Sequence, residues 1–189
     1  MTTAAETYVD ISPATALRIV VQQPDGTMVD LASADGDRTA NALDQLIRIR
    51  ACDLRAACRQ TSNLHAEAAA QGFAVAVIVD IEVSIDRDVH AARKSLTVLD
   101  AKGAEDNLRY VGTAVGLAGL IADIHALRLA DGVALVPLTP VARSLITAEV
   151  IPQLAQLGIN TAPCPMDAWS QSTSDRFREA LPAHAARRS

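Results

Sequence analysis

Apolar residues recur along this chain with two different periods, and together these predict strands alternating with helices. The clearest stretch runs from Leu108 to Leu138. A short apolar run stops at Gly112, apolar residues then return about every 3.6 positions, and a wholly apolar run begins at Val133. A short apolar run close behind a helix is typical of a strand buried on both faces of a parallel sheet. The stretch therefore predicts a βαβ unit, with Thr113 as the N-cap of its helix.

The strongest strand signal is the segment from Phe73 to Ile85, which is rich in β-branched residues. Alternate positions on one face are apolar throughout. The other face becomes acidic toward its C-terminal end, at Asp80 and Glu82. Two interpretations stay open. The carboxylates face water, or they line the mouth of a barrel, because ligands collect at the carboxyl ends of parallel strands.

Another strand is predicted from Leu17 to Val21, followed by the turn sequence Pro-Asp-Gly at residues 24–26. A short helix is expected from Met28 to Ser33. A strand, a glycine turn and a helix N-terminus together present backbone N–H groups to an anion. A plain turn is the alternative interpretation.

Helical periodicity also runs from Asn41 to about Ala70, with Gly72 as its end. Arg48 and Arg50 fall off the apolar face of this pattern and are expected on a solvated face. Thr61-Ser62-Asn63 are poor helix formers and could divide the helix.

Two further helices are predicted toward the C-terminus. One begins at Asp88 and runs to about Asp100. The other begins at Thr139-Pro140, a capping hydroxyl followed by proline at the first helical position. Gly158 is expected to end it, and Pro152 to kink or divide it. The apolar face of this helix is predicted to consist of five residues: Val141, Leu145, Val150, Leu154 and Leu157.

Composition narrows the class of protein. The chain has 189 residues, 50% of them hydrophobic, enough for the core of one domain. We expect an α/β domain over residues 1–159 and a largely disordered tail over residues 160–189. A net charge of −5 and aromatic residues at only 3% argue against a nucleic-acid partner.

The cellular compartment is also predicted from composition. No apolar run approaches the length of a membrane span. The first residues carry Glu6 and no basic region, so we expect no signal peptide. The chain has three cysteines, an odd number, and they lack metal-binding spacing: Cys52, Cys58 and Cys164. This favours reduced thiols and a cytoplasmic protein.

The sequence contains no metalloprotease helix motif, nucleophile elbow, Walker loop or dinucleotide fingerprint. The histidines are isolated: His65, His90, His125 and His184. We expect them at the surface or its boundary, and assign neither a catalytic base nor a metal ligand.

The order of these segments resembles the C-terminal half of the bacterial luciferase-like flavin-dependent oxidoreductases and monooxygenases, which fold as a TIM-type barrel. LRYVGTAVGLAGLIADIHALRLADGVALVPL is similar to the family's late run of Val-Gly-Thr-Pro, helix and Asp-Gly-Phe strand. VIPQLAQLG resembles its closing helix, and VVQQPDGTMVDLASADGD resembles its segment of strand, Ser-Pro-x-Gly turn and helix. The resemblance covers roughly residues 7–159. It implies a partial (half) TIM-type barrel with parallel strands and covering helices.

In the family, that turn holds the phosphate of FMN or a deazaflavin. The resemblance therefore implies a flavin-binding set of turn residues: Gln22, Gln23, Asp25, Gly26 and Thr27. The chain departs from the family pattern at three positions. Gln23 stands where the family usually has serine, Ala114 where it has proline, and Val133 where it has phenylalanine. The polar run ADGDRTAN stands where the family has an apolar strand.

Two functions follow as hypotheses. The first is a flavin-dependent oxidoreductase or monooxygenase that acts on a small organic substrate. The second is a non-catalytic truncated relative that acts as a binding or assembly subunit, because strands carrying most contacts to the flavin ring are missing. A half barrel leaves unpaired strand edges, so we expect a homodimer or a partner chain that supplies the missing strands. An unrelated α/β domain binding another phosphorylated ligand at the same turn is a third possibility.

Overall fold

Six strands and five α-helices lie within the residues that the computed structural model describes, which are 16–31, 45–99 and 107–161, and strands alternate with helices from β3 to α4. The strands are β1 Arg18–Gln22, β2 Met28–Asp30, β3 Gln45–Ile49, β4 Val75–Ile85, β5 Leu108–Gly112 and β6 Gly132–Pro137. The helices are α1 Leu54–Gln71, α2 Val89–Leu99, α3 Ala114–Ala126, α4 Pro140–Leu145 and α5 Ile151–Gln156.

The strands form one mostly parallel sheet in the order β2-β1-β6-β4-β3. β1 pairs with β6, and β4 pairs with β6, β3 and β5, all in parallel. Only β2 runs antiparallel among these described pairings, as the second arm of a hairpin with β1. The predicted α/β fold with parallel strands and covering helices is thereby confirmed.

β4 is the central strand because three others pair along it. β3 pairs with its residues 75–79, β5 with residues 81–85 and β6 with residues 78–83. Since β6 overlaps both of the other ranges, β3 and β5 must share the opposite edge of β4. One long strand therefore carries two short ones end to end.

The two faces of the sheet differ in what covers them. Helices α1, α3, α4 and α5 pack on one face, the outer face, where Val77, Val79 and Ile81 of β4 join a large apolar core. The opposite, inner face has a small apolar cluster: Val20, Leu46, Ala76, Ile78 and Ala134, with Met28 packed against it. β6 contributes to both, through Val133 outside and Ala134 inside, as expected for a strand buried on two faces.

Contact between the first and last strands in the sheet order shows that the sheet is curled. The guanidinium Nη1 of Arg48 on β3 lies 3.8 Å from the sulfur of Met28 on β2. In a flat sheet these strands would be about 19 Å apart, four strand spacings. The sheet is thus a curled half barrel whose inner face is partly enclosed, which confirms the predicted partial TIM-type architecture.

The predicted βαβ unit and helix starts are confirmed in detail. The hydroxyl of Thr113 accepts from the N–H of Gly116 at 3.3 Å, and that of Thr139 accepts from Ala142 at 3.0 Å. Asp88 caps α2 by accepting from Ala91 at 2.8 Å. Strands β1, β4, β5 and β6 lie where the apolar runs placed them.

The predicted helix from Asn41 to Ala70 is wrong at its N-terminal end. Residues Gln45–Ile49 form strand β3, and the helix begins only after Asp53, whose carboxylate accepts from the N–H of Ala56. The predicted division at Thr61-Ser62-Asn63 is absent, because α1 continues through these residues without interruption. The ending at Gly72 is confirmed by its left-handed backbone, with φ of 79°.

The predicted short helix from Met28 to Ser33 is also wrong where the chain is described. Residues Met28–Asp30 form strand β2, which pairs with β1 through Val20↔Asp30, Val21↔Val29 and Gln22↔Met28. Gly26, with φ of 86°, makes the tight reversal between the two strands. β-branched Val29 opposite Val21 suits a strand pair better than a helix.

The last helical segment is widened rather than broken at Pro152. A π-helical turn, Ile146–Val150, joins α4 to α5, and the missing N–H of Pro152 falls just after it. Val150 and Leu154 are buried as predicted, but Val141 and Leu157 are 48% and 57% exposed. The buried face instead includes Ala142 and Ile146. Gly158 ends the segment, with φ of 73°.

Residues 1–15, 32–44, 100–106 and 162–189 lie outside the described residues. The polar run ADGDRTAN and most of the expected disordered tail fall there, so the proposed division at residue 159 stays a prediction. Within the described part, Leu17 and Thr161 form an isolated parallel bridge, and the N–H of Leu17 donates to the carbonyl of Asn160 at 3.0 Å.

Candidate functional site: the inner face of the half barrel

The inner face carries charged side chains beside its apolar cluster, and register arranges them in rows across the strands. Arg18, Gly132, Ile78 and Arg48 are successive register partners on β1, β6, β4 and β3. One pleat further along, Val20, Ala134 and Asp80 are partners. These charged side chains of the inner face therefore belong to residues of the strands and not to loops.

Asp80 is the most buried of these charges. Its side chain is 2% exposed and receives donors from two arginines of the β3 end of the sheet. The Nε of Arg48 donates to one carboxylate oxygen, and the Nε of Arg50 lies 3.4 Å from the other. Of the two interpretations for Asp80, exposure to water is wrong, because two guanidinium groups replace water around it.

Glu82 forms a second network nearer the C-terminal end of β4. Its cross-strand partner Arg109 donates from Nε at 2.8 Å and from Nη2 at 2.7 Å, both to Oε2. The side-chain amide of Asn107 donates to Oε1 at 2.9 Å. The Glu82 side chain is 13% exposed. Both carboxylates thus line the inner face toward the carboxyl ends of the strands, as the barrel-mouth interpretation expects.

Arg18 begins the first row and has a different environment. It is 5% exposed, and its Nε has no hydrogen-bond partner. By the alternation of β1, its side chain leaves the sheet on the same face as Val20, which is part of the inner cluster. Arg18 is not among the predicted site residues, although a strand from Leu17 to Val21 already places it on the face opposite Leu17, Ile19 and Val21.

The prediction that Arg48 and Arg50 lie on a solvated helix face is wrong about the helix. It is also wrong about the exposure of Arg48, whose side chain is 25% exposed, whereas that of Arg50 is 69% exposed. Arg48 lies between Ile47 and Ile49 on strand β3, whose isoleucines join the outer core, and Arg50 directly follows the strand. The sequence signal was the alternation Ile-Arg-Ile-Arg, which has the period of a strand. A helical pattern through the same residues hid it.

The turn between β1 and β2 contains the predicted flavin-binding residues. Four of its donors are occupied within the turn itself. The N–H and hydroxyl of Thr27 both donate to Asp25 Oδ1, at 2.9 and 2.7 Å. The N–H of Gln23 donates to the carbonyl of Thr27 at 2.7 Å, and that of Gly26 to Gln23 at 3.0 Å.

These bonds also affect the charge of the turn. The Thr27 hydroxyl, and then its N–H, hold the pKa of Asp25 below its ordinary value of 3.8. The turn therefore presents a carboxylate where a phosphate was predicted, and no described helix begins behind it. Phosphate binding at Gln22, Gln23, Asp25, Gly26 and Thr27 stays a prediction, and it requires the Asp25–Thr27 bonds to open.

Within residues 16–31, 45–99 and 107–161, histidine, cysteine and acidic side chains form no group of three or more that could hold a metal ion. His65 lies 2.8 Å from Asp131, which also accepts from the N–H of Val77 at 2.7 Å. Cys52 and Cys58 are free thiols. The helices in the described part are all too short or too polar to cross a bilayer.

Three solved structures share this arrangement of strands and helices. An EDTA monooxygenase from Chelativorans sp. BNC1 superposes with a TM-score of 0.53 at 18% identity, over 73% of this chain and 44% of that one. A long-chain alkane monooxygenase gives 0.50 at 13% identity, over 62% and 38%. A riboflavin lyase, solved with modified FMN and riboflavin, gives 0.52 at 16% identity, over 62% and 40%.

The chain therefore has part of the luciferase-like fold. The resemblance expected from the sequence is confirmed at the level of fold. The chain spans less than half the length of each luciferase-like structure, between 38% and 44%. No protein-family model matches the sequence, and no curated protein is significantly similar to it.

Proposed function

We propose that this chain is part of a flavin-dependent, luciferase-like oxidoreductase or monooxygenase, which binds reduced FMN or a deazaflavin and acts on a small organic substrate. The observation that carries the proposal is the curled, mostly parallel half barrel, shared with the three enzymes above at TM-scores of 0.50 to 0.53. A bound flavin would supply the redox chemistry, and the protein would bind and orient it.

The residues present fit this cofactor unevenly. The β1–β2 turn does not fit a phosphate as it stands, because four of its donors are taken and Asp25 is an exposed carboxylate. The inner face has an apolar cluster that includes Val20, Ile78 and Ala134, but all three are fully buried, so a flat ring system could reach them only if the side chains that cover them move aside. We therefore infer that a flavin would lie on the inner face, and we derive no reaction step from the turn.

The test is an absorbance and fluorescence titration of the purified full chain with FMN, riboflavin and a deazaflavin. We expect a saturable shift of the flavin band and quenching of flavin fluorescence. The matched variants are Ala134→Trp, which fills the inner face, and Val115→Trp, which adds the same ring on α3 at a side chain that is 61% exposed. Loss of the spectral shift in the first variant alone supports the inner face. No spectral change with any of the flavins contradicts the proposal.

A second candidate function is a binding or assembly subunit, and the unpaired sheet edges favour it. Among the described strands, β2 pairs only with β1, and β3 pairs only with β4. Exposed strand edges offer backbone N–H and C=O groups to another chain. A second copy, or a chain with complementary strands, could therefore extend the half barrel.

Light scattering coupled to size-exclusion chromatography tests this candidate. We expect a dimer, which Val29→Lys on the β2 edge should dissociate, because lysine on an edge strand opposes pairing. Val29 is 43% exposed. Val115→Lys places the same charge on α3 as the control. A monomer at every concentration, with no strand-supplying partner chain found, contradicts the assembly hypothesis and leaves the flavin titration unaffected.

A further inference from the structure

Helix α2 lies on the opposite side of the sheet from α1, α3, α4 and α5. The hydroxyl of Ser84 on β4 donates to the carbonyl of Ala92 in α2 at 3.1 Å, and both residues are buried. Ser84 leaves β4 on the same face as Ala76 and Ile78, which is the inner face. None of the α2 side chains that the structure describes, residues 89–97, belongs to the outer core. α2 therefore lies inside the curl of the half barrel.

The order of the strands explains this position. From β3 to β4, and again from β5 to β6, the chain crosses the sheet in one direction, and helices α1 and α3 lie on the outer face. From β4 to β5 the chain crosses in the other direction, because β5 shares the far edge of β4 with β3. Connections between parallel strands are right-handed. A reversed direction therefore places the connecting helix, α2, on the inner face.

α2 covers the carboxyl-end part of the inner face. It packs against β4 and β5, and β5 pairs with residues 81–85 of β4. Glu82 on β4 and its register partner Arg109 on β5 belong to the same face as Ser84. Barrels of parallel strands bind their ligands at this end of the strands. The helix thus occupies the approach to the part of the inner face where a ligand is expected.

α2 leaves no room for a ring system between itself and the sheet. Ser84 is 1% exposed, and its hydroxyl contacts the backbone of the helix directly. A ligand at this position and α2 in this position therefore exclude each other. The same holds for a completed barrel of eight strands, because its interior is only wide enough for side chains, whereas a helix with its side chains is about 10 Å across.

α2 is attached to the sheet more lightly than α3 is. Of the α2 side chains described, residues 89–97, Ala92 is fully buried, whereas Arg93 and Lys94 are exposed. Helix α3 buries five residues: Ala114, Leu117, Ala118, Ile121 and Ile124. An element with few buried apolar contacts opens at a lower free energy than the whole fold unfolds. α2 is therefore suited to leave the sheet while the strands stay paired.

We propose that α2 is an autoinhibitory lid, which closes the carboxyl end of the inner face and opens as a unit while the sheet stays folded. Ser84 holds the closed state through its hydrogen bond to the Ala92 carbonyl. A flavin reaches this end of the sheet only in the open state, so its apparent affinity is reduced by the open fraction. The flavin step rests on the proposed function, whereas the opening of α2 does not.

Amide hydrogen exchange in the full chain without ligand tests the opening. The α2 amides should exchange through a local opening and therefore faster than the α3 amides. Ser84→Ala should speed α2 exchange about fivefold, the factor expected for one lost hydrogen bond, and should leave α3 exchange unchanged. Ser144→Ala is the matched control, because its hydroxyl donates to the Pro140 carbonyl of α4 at 3.2 Å. It should leave α2 exchange unchanged.

Equal exchange of the α2 and α3 amides in the native chain overturns the proposal, whatever the variants do. A titration with FMN then tests the role of the lid. Ser84→Ala should raise the apparent affinity for FMN by the same factor as it speeds α2 exchange, because both follow the open fraction. Ser144→Ala should leave the affinity unchanged.

An FMN affinity that Ser84→Ala leaves unchanged or lowers overturns the lid as an inhibitor of flavin binding. Absence of flavin binding in the native chain and in both variants contradicts the proposed function instead. In that case the exchange measurement still decides whether α2 opens, so the two failures are distinguishable.

Discussion

The hydroxyl of Tyr110 lies against Gly116, so closely that a β-carbon at position 116 would be 2.0 Å from it. Tyr110 extends from β5 onto the outer core, and Gly116 lies in the first turn of α3, beside the cap residue Thr113. Glycine is needed at this helical position because a tyrosine ring occupies the space of a side chain.

Gly116→Ala should therefore destabilise the fold by about 1–3 kcal/mol, the usual cost of overpacking, although alanine is the better helix former. Tyr110→Phe should restore most of the loss, because the nearest remaining ring atom is 3.3 Å away. Chemical denaturation of the two single variants and the double variant measures the coupling.

Gly119→Ala, in the same helix with no atom within 4 Å of the added carbon, is the control. It should be neutral or stabilising by up to about 1 kcal/mol. Equal effects at Gly116 and Gly119 would show that the ring does not restrict position 116.

Asp80 should be the charged residue of the inner face whose loss costs most. Asp80→Asn leaves Arg48 and Arg50 without their anion, and breaking a buried pair costs about 3–5 kcal/mol. Arg50→Gln should cost less than about 1 kcal/mol, because its side chain is 69% exposed. Urea unfolding at low and high salt compares them. Equal losses for the two variants would contradict the buried pairing.

Asp131 should matter more to stability than its partner His65. The carboxylate accepts from the backbone N–H of Val77 at 2.7 Å and lies 2.8 Å from His65 Nε2. Asp131→Ala leaves a strand N–H of β4 without its acceptor, at a cost of about 1–3 kcal/mol. His65 is 42% exposed, so His65→Ala should cost less. A larger loss for His65→Ala would be inconsistent with this ranking.

The Asp25 carboxyl should titrate below its ordinary value of 3.8, because Thr27 donates two hydrogen bonds to the ionised form. A pKa lowered by folding contributes stability above the pKa of the unfolded chain. That stability is lost as the pH falls through the lower, folded value. Thr27→Val should move the titration midpoint, followed by carboxyl ¹³C resonances, upward toward 3.8. Thr97→Val, at a hydroxyl bonded within α2, should leave the midpoint unchanged.

Much of the fold could be predicted because outer and inner faces differ in polarity along single strands. In β4, valine and isoleucine fill one face, while alanine, isoleucine, aspartate, glutamate and serine follow one another on the other face, which gives a period of two. Capping residues such as Thr113 and Thr139 act locally, so their roles follow from a few neighbours. These features depend on little beyond adjacent sequence.

Strand β3 and the inner-face arginines could not be recognised in the same way. Arg48 and Arg50 look like solvent-facing residues unless the position of Asp80 across the sheet is known. Met28 likewise begins a plausible helix until β1 provides a pairing partner. Contacts with residues distant in sequence determine the secondary structure of such segments, and most residues of the candidate site lie in them.

The pairing of β1 with β6 has a consequence for the order of folding. These strands are separated by the whole of β2 to α3 in the chain. During synthesis, β1 can form its hairpin with β2 at once, but its other edge must wait until β6 has emerged from the ribosome. Contacts this distant in sequence form slowly, so the nascent chain exposes one edge of an apolar strand through most of its translation. Chaperone binding, if the chain uses it, would be directed to that edge first.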